Sequence, residues 1–146
     1  MRIAVISDTH DFLPPGLPER MAEADEIWHL GDVCEPAVLD PLLALGRPVY
    51  VVLGNNEDHT LWPLERRLER EGHRFLLTHI PPPKRPLNVE FVLHGHTHVV
   101  RDEIDEAGVR WLNPGCIARA SRATGPTFAW LEIEAGKPPR WRLEKV

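Results

Sequence analysis

Five times along these 146 residues a short apolar run ends abruptly in side chains that carry carboxylate, amide or imidazole groups. Ile3–Ile6 leads to Asp8-Thr9-His10, Ile27-Trp28-His29-Leu30 to Gly31-Asp32, and Val49–Leu53 to Gly54-Asn55. Phe75-Leu76-Leu77 leads to His79, and Phe91-Val92-Leu93 to His94-Gly95-His96-Thr97-His98. Short apolar runs bounded by polar or glycine positions read as buried strands. In open α/β sheets ligands bind beyond the carboxyl ends of the strands, so five such clusters in that one position describe a single site assembled from the whole chain.

Residues 1–6, 26–30 and 49–53 read as strands joined by amphipathic stretches, Pro18–Ala24 and Pro36–Leu45, with the length of crossover helices. That alternation predicts a parallel βαβ front half. Beyond Asn55 the pattern changes. Leu64–Arg70 and His73–Thr78 flank Glu71-Gly72 as a hairpin, although Leu61, Leu64 and Leu68 would also suit a short helix. Val99–Asp105 and Val109–Leu112 form a second hairpin around Glu106-Ala107-Gly108, followed by strands near 127–133 and 140–144. The back half is expected to be mostly antiparallel, with two sheets packed face to face and helices outside.

Composition sets the outer bounds. The length fits one domain, so residues 1–146 are read as a single unit without a linker. No apolar stretch approaches the roughly 18 residues of a membrane span, and the N-terminal run turns acidic too soon for a signal peptide, so a cytoplasmic location and no membrane partner are expected. Cys34 and Cys116 form no Cys-x-x-Cys pair and are read as packed thiols. A formal charge of −5 speaks against broad binding to long nucleic acid, which relies on Lys and Arg neutralising phosphates. A small anion drawn to a local positive centre is compatible, and assembly into a homo-oligomer is left open.

The donor types point to metal. Asp8 and His10 lie two residues apart and point to one side of extended chain, as chelation requires. Asp32 brings two carboxylate oxygens, able to bridge two cations, while Asn55 offers a neutral carbonyl and His79, His96 and His98 imidazoles of borderline softness. His29 is expected to pack or to support a ligand by a hydrogen bond, and Glu57 to be either such a support or a solvated loop carboxylate.

In this order, strand, Asp-x-His, Gly-Asp, Gly-Asn, His and Gly-His-x-His resemble the calcineurin-like metallophosphoesterases, most of all their small bacterial and archaeal phosphodiesterases. Asn113-Pro114-Gly115-Cys116 is similar to the Asn-Pro-Gly-Ser segment of those proteins. The resemblance implies an α/β fold, a four-layer α/β/β/α sandwich of two mixed sheets. It implies two divalent ions, of Mn, Ni, Co, Zn or Fe, one held by Asp8, His10, Asp32 and His98, the other by Asp32, Asn55, His79 and His96. It also implies in-line attack of a metal-bridging hydroxide on a small phosphodiester, nucleotides included. Phosphomonoester or pyrophosphate hydrolysis is the nearest alternative, and a noncatalytic metal-binding scaffold of the same fold is the second.

One departure matters. Asn56 stands where many relatives carry a His that helps the leaving group depart, and an amide cannot donate a proton as an acid near neutral pH, so no protein general acid is assigned. Asn55, Asn56, Arg119 and Arg122 are the expected substrate contacts. A cupin reading of His96, His98 and Glu103 fails, because no further His follows and the front half is βαβ.

Overall fold

The computed structural model describes residues 1–118 and 124–146. Its strands are β1 (Arg2–Ile6), β2 (Glu26–His29), β3 (Val49–Val51), β4 (Glu65–Arg70), β5 (His73–Thr78), β6 (Phe91–Leu93), β7 (Arg101–Ile104), β8 (Arg110–Asn113), β9 (Thr127–Glu132) and β10 (Arg140–Lys145). They form two five-stranded sheets, in the orders β10-β9-β1-β2-β3 and β4-β5-β6-β8-β7. The first is parallel through β1, β2 and β3, and antiparallel where β9 meets β1 and β10.

From Ile3 to Ile6 strand β1 is apolar and buried because it is covered on both faces. Ile3 and Val5 enter the core between the sheets with Trp28, Leu30, Val52, Phe75, Leu77, Leu93, Leu112 and Leu131. Ala4 and Ile6 face the other way, onto Leu17, Met21, Leu39, Leu42 and Phe128. A partly buried ion pair ties the sheets together at one end, where Arg70 Nε lies 2.9 Å from Glu26 Oε1 and Trp28 Nε1 donates to Glu26 Oε2 at 2.9 Å.

The sandwich of two mixed sheets stands as expected, with differences in detail. The back half is less antiparallel than its hairpins suggest, because β6 runs parallel to both β5 and β8. The hairpin of β4 and β5 forms as expected and the alternative helix over residues 61–68 does not; Leu68 of β4 packs against the core while Arg66 Nε donates to Val51 O at 2.8 Å. The crossover helices shrink to single turns, α1 (Leu17–Arg20) and α2 (Asp40–Leu43), the latter preceded by a 3-10 turn over Pro36–Leu39. Pro41 cannot donate a backbone hydrogen bond, and so it divides what the periodicity reads as one helix. Among the described residues no helix covers the outer face of the second sheet; Leu76, Val92, Val109 and Trp111 pack there with Val89 of the preceding loop. No helix among the described residues is long and apolar enough to cross a membrane.

Candidate metal centre

The loops after β1, β2, β3, β5 and β6 meet at one end of the sandwich. Two are laced together by backbone hydrogen bonds: Asp8 N donates to Gly31 O at 3.0 Å, His10 N to Asp32 O at 2.9 Å and Asp11 N to Val33 O at 3.0 Å. Asp8, His10, Asp32, His96 and His98 all have positive φ, between 43° and 66°. That conformation costs an ordinary residue about 1 kcal/mol or more, and such strain concentrates where function requires it.

Asp8 and Asp32 are almost wholly buried. Around them the imidazoles divide into two groups. His98 Nε2 lies 3.1 Å from Asp8 Oδ1, with His10 Nε2 at 3.7 Å from the same oxygen. On the other side His79 Nε2 lies 3.3 Å from Asp32 Oδ1 and 4.0 Å from Asp8 Oδ1. Asn55 Oδ1 lies 2.9 Å from both His79 Nε2 and His96 Nδ1. Asp32 spans the two groups, since its Oδ1 faces His79 while its Oδ2 lies 3.6 Å from His10. Asp8, His10 and His98 form one cluster with donor atoms close enough for a shared cation, and Asp8, Asp32 and His79 form another. Asp8 is common to both clusters, and Asp32 reaches both through its two oxygens.

Electrostatics favours a cation here. Two buried carboxylates are costly without compensating positive charge, and among the described residues their ion-pair partners are all imidazoles. Burial opposes ionisation of Asp32, yet hydrogen bonds from His79 and Asn56 outweigh it and hold this carboxyl well below the usual range. Burial likewise opposes protonation of His79, but its bond to Asp32 and the charge of Asp8 raise its pKa above the ordinary value. His79 Nδ1 donates to Leu30 O at 2.7 Å, which fixes the ring and turns Nε2 toward the carboxylates. Mixed nitrogen and oxygen donors of this kind fit a divalent transition metal, zinc included.

Supporting groups complete the cradle. Ser7 Oγ donates to Asp8 Oδ2 at 2.5 Å, a contact that no sequence signal singled out. Glu57 Oε1 accepts the Val33 and Cys34 amides at 2.5 and 3.2 Å, so it clamps the loop that carries Asp32. Asn113 Nδ2 donates to Gly95 O and Thr97 Oγ1, both at 3.1 Å, and steadies the His96–His98 loop. Gly95 allows that loop in, because a Cβ there would stand 2.7 Å from Asp8 Oδ2 and closer to Ser7 Oγ.

The expected substrate contacts fare differently. Asn56 turns inward, its backbone N donating to Asp32 Oδ1 at 3.0 Å and its side-chain amide to Asp32 Oδ2 at 2.7 Å. Arg119 and Arg122 lie outside the described residues. His29 is no part of the donor set. Gly31 N donates to its Nδ1 at 3.2 Å, and its Nε2 lies 3.1 Å from Thr9 Oγ1; burial holds its pKa at about 3.

Two buried carboxylates ringed by imidazoles and an amide at the strand ends of a two-sheet sandwich define a protein built to bind metal. The profile of the calcineurin-like phosphoesterase superfamily domain matches residues 1–136, and the chain belongs to that superfamily. It is 30% identical over 133 residues to a probable metallophosphoesterase of Methanocaldococcus jannaschii, an alignment covering 79% of this chain and 67% of that protein. Its fold is similar to that of Entamoeba histolytica Vps29 in complex with zinc, with a TM-score of 0.79, 22% identity, and 99% and 98% of the two chains covered. It is also similar to that of YfcE, a phosphoesterase from Escherichia coli, with a TM-score of 0.76, 22% identity, and 90% and 88% covered.

Proposed function

We propose that the protein is a two-metal phosphodiesterase acting on small phosphodiesters, nucleotides among them. The observation that carries this reading is Asp32, whose two oxygens face the separate groups built around His10 and His79. One ion would be held by Asp8, His10, Asp32 and His98, the other by Asp32, Asn55, His79 and His96. Bound divalent ions would polarise a phosphoryl oxygen and lower the pKa of water toward 7.

The remaining chemistry falls to the protein's own side chains. Asp8 and Asp32 bring two negative charges to a site whose other proposed donors are neutral, so the loaded centre keeps positive charge for an anionic ester. His79, anchored through Leu30 O, keeps Nε2 aimed inward. Asn56 holds both Asp32 oxygens and has no proton to offer a departing alkoxide, which favours esters with good leaving groups.

The test is turnover of activated phosphodiesters and monoesters with Mn²⁺, Co²⁺, Ni²⁺ or Zn²⁺, together with metal analysis of the protein and of Asp32→Asn. Hydrolysis of diesters above the free-metal rate, with bound metal and turnover falling together in the variant, is the expected result. Full metal content and near-normal turnover in Asp32→Asn would overturn the bridging role. Bound metal without any turnover would instead favour the noncatalytic scaffold.

A further inference from the structure

Strand β10 closes one edge of the first sheet, and its phase on that edge can be read from the backbone. Val146 N donates to Pro126 O at 3.0 Å, continuing the ladder that pairs Glu144 with Phe128, Arg142 with Trp130 and Arg140 with Glu132. In an antiparallel pair the residues that bond inward alternate with residues whose N–H and C=O both point outward. The far side of β9 agrees: Ile133 N donates to Met1 O at 2.8 Å and Met1 N to Ile133 O at 2.8 Å, so odd-numbered residues of β9 face β1 and even-numbered ones face β10. Trp141, Leu143 and Lys145 therefore turn their main-chain groups outward, and of these the Lys145 carbonyl already accepts from Arg20 Nη2, at 2.8 Å near the end of the strand.

The side chains along that edge complement themselves. Consider a second copy of β10 laid antiparallel with its two-fold axis at Leu143. Leu143 would face Leu143 of the other copy and exchange two backbone hydrogen bonds with it. Arg142 of each copy would stand opposite Glu144 of the other, and Trp141 opposite Lys145. Opposite charges placed directly across a strand pair are favourable, whereas like charges there are unfavourable. Moving the axis to Trp141 would set Arg140 against Arg142 twice, and moving it to Lys145 would set two lysines face to face. An axis at Arg142 or Glu144 would bring together groups already bonded to β9. Within the chain Arg142 already pairs with Glu144, on the face opposite Leu143, which is 38% exposed.

We infer that β10 is a homodimer interface, joining the first sheets of two chains edge to edge in the register centred on Leu143. An isologous contact of this kind closes on itself and uses up the open edge that would otherwise template aggregation. The interface lies two strands from β1, so it leaves the metal-binding loops outside it.

Sedimentation velocity of the full chain across a concentration series tests the inference, together with Leu143→Lys, Leu143→Pro and Leu143→Cys. The expected species has twice the 16.6 kDa chain mass. Leu143→Lys sets two ammonium groups opposite each other and should weaken association about tenfold or more. Leu143→Pro removes an outward N–H while sparing the ladder to β9, as an edge proline can, and should give monomer. Leu143→Cys should form a reducible cross-linked dimer on mild oxidation, because the Cα separation of a hydrogen-bonded pair, about 5.5 Å, lies within disulfide range. Trp141→Cys should not cross-link, since its counterpart would be Lys145. Metal content should be unchanged in the Leu143 variants. A monomer at every concentration would overturn the inference. So would a dimer that Leu143→Lys leaves intact and Leu143→Cys does not cross-link, and these two variants keep the test valid should Leu143→Pro fail to fold.

Discussion

Gly54→Ala would place a Cβ 2.6 Å from Glu57 Oε2 and closer still to Asp32 N and Oδ1. Ordinary contact needs roughly 3.4 Å, so Asp32 and its loop would have to move by about 1 Å, and a misplacement of that size at a reacting centre costs about 10²-fold in rate. In free energy this is roughly 2.7 kcal/mol of lost transition-state stabilisation. The backbone adds nothing to the effect, since Gly54 is not among the positive-φ glycines. Global stability should fall by only about 1–3 kcal/mol, the usual cost of overpacking. Calorimetric titration of metal into the apoprotein and turnover of an activated diester would read the site, with thermal melting as the check on the fold. Gly136→Ala is the control, since its Cβ would meet nothing within 4 Å and only its positive φ, 74°, would be strained. It should lose about 1 kcal/mol of stability and leave metal binding unchanged. Metal affinity and turnover of Gly54→Ala within about twofold of the parent would refute the reasoning, because the loop would then have yielded without carrying Asp32 with it.

Three further outcomes follow from the same geometry. His98→Ala should empty one metal position and His79→Ala the other, each lowering diester turnover by orders of magnitude; metal analysis with spectroscopy of a cobalt-substituted sample distinguishes them, and identical losses would contradict two separate positions. Asn56→His should flatten the dependence of rate on leaving-group acidity by supplying an acid, while weakening the hold on Asp32 seen as lower metal affinity; an unchanged dependence with chemistry rate-limiting would place the acid elsewhere. His29 has its pKa lowered by burial to about 3, so below the ordinary 6.5 the unfolded chain takes up a proton that the folded one refuses. Its contribution to stability is present above pH 6.5 and is lost toward pH 3, at up to about 1.4 kcal/mol per pH unit, so denaturant unfolding of His29→Gln between pH 6.5 and 4 should show a shallower acid loss than the parent.

The site was legible because its donors sit immediately after apolar runs, and a strand end fixes where such residues go. Asp8, His10, Asp32, Asn55, His79, His96 and His98 each follow closely on an apolar run, and the fold brings their side chains together. Ser7 gave no signal, since a lone serine before an aspartate is common and its role depends on a 2.5 Å contact made only in the folded loop. Asn56 was placed toward substrate on its sequence neighbours, but its side-chain amide bonds to Asp32. Sheet order was less accessible. Periodicity locates β9 and β10 but says nothing of their partners, and their alignment beside β1 is settled by which apolar faces must be covered. The parallel pairing of β6 was hidden for the same reason, because the hairpins around it are local and its own neighbours are not. Helix length failed where Pro41 overrode an amphipathic pattern.

The five positive-φ donors have a meaning for how such a chain can evolve. Each such conformation costs an ordinary residue about 1 kcal/mol or more, and less for Asp and His, so the five together offset part of the domain's small net stability. A sequence shaped by foldability alone would carry glycine or asparagine at these corners. Asp8, His10, Asp32, His96 and His98 instead hold side chains whose usefulness appears only when a cation arrives, and binding returns part of that conformational debt as stability of the loaded form. Lineages that lose the cation lose the reason to keep these residues, and drift there should run toward the left-handed-tolerant glycine and asparagine, making the corners more stable as the chemistry fades.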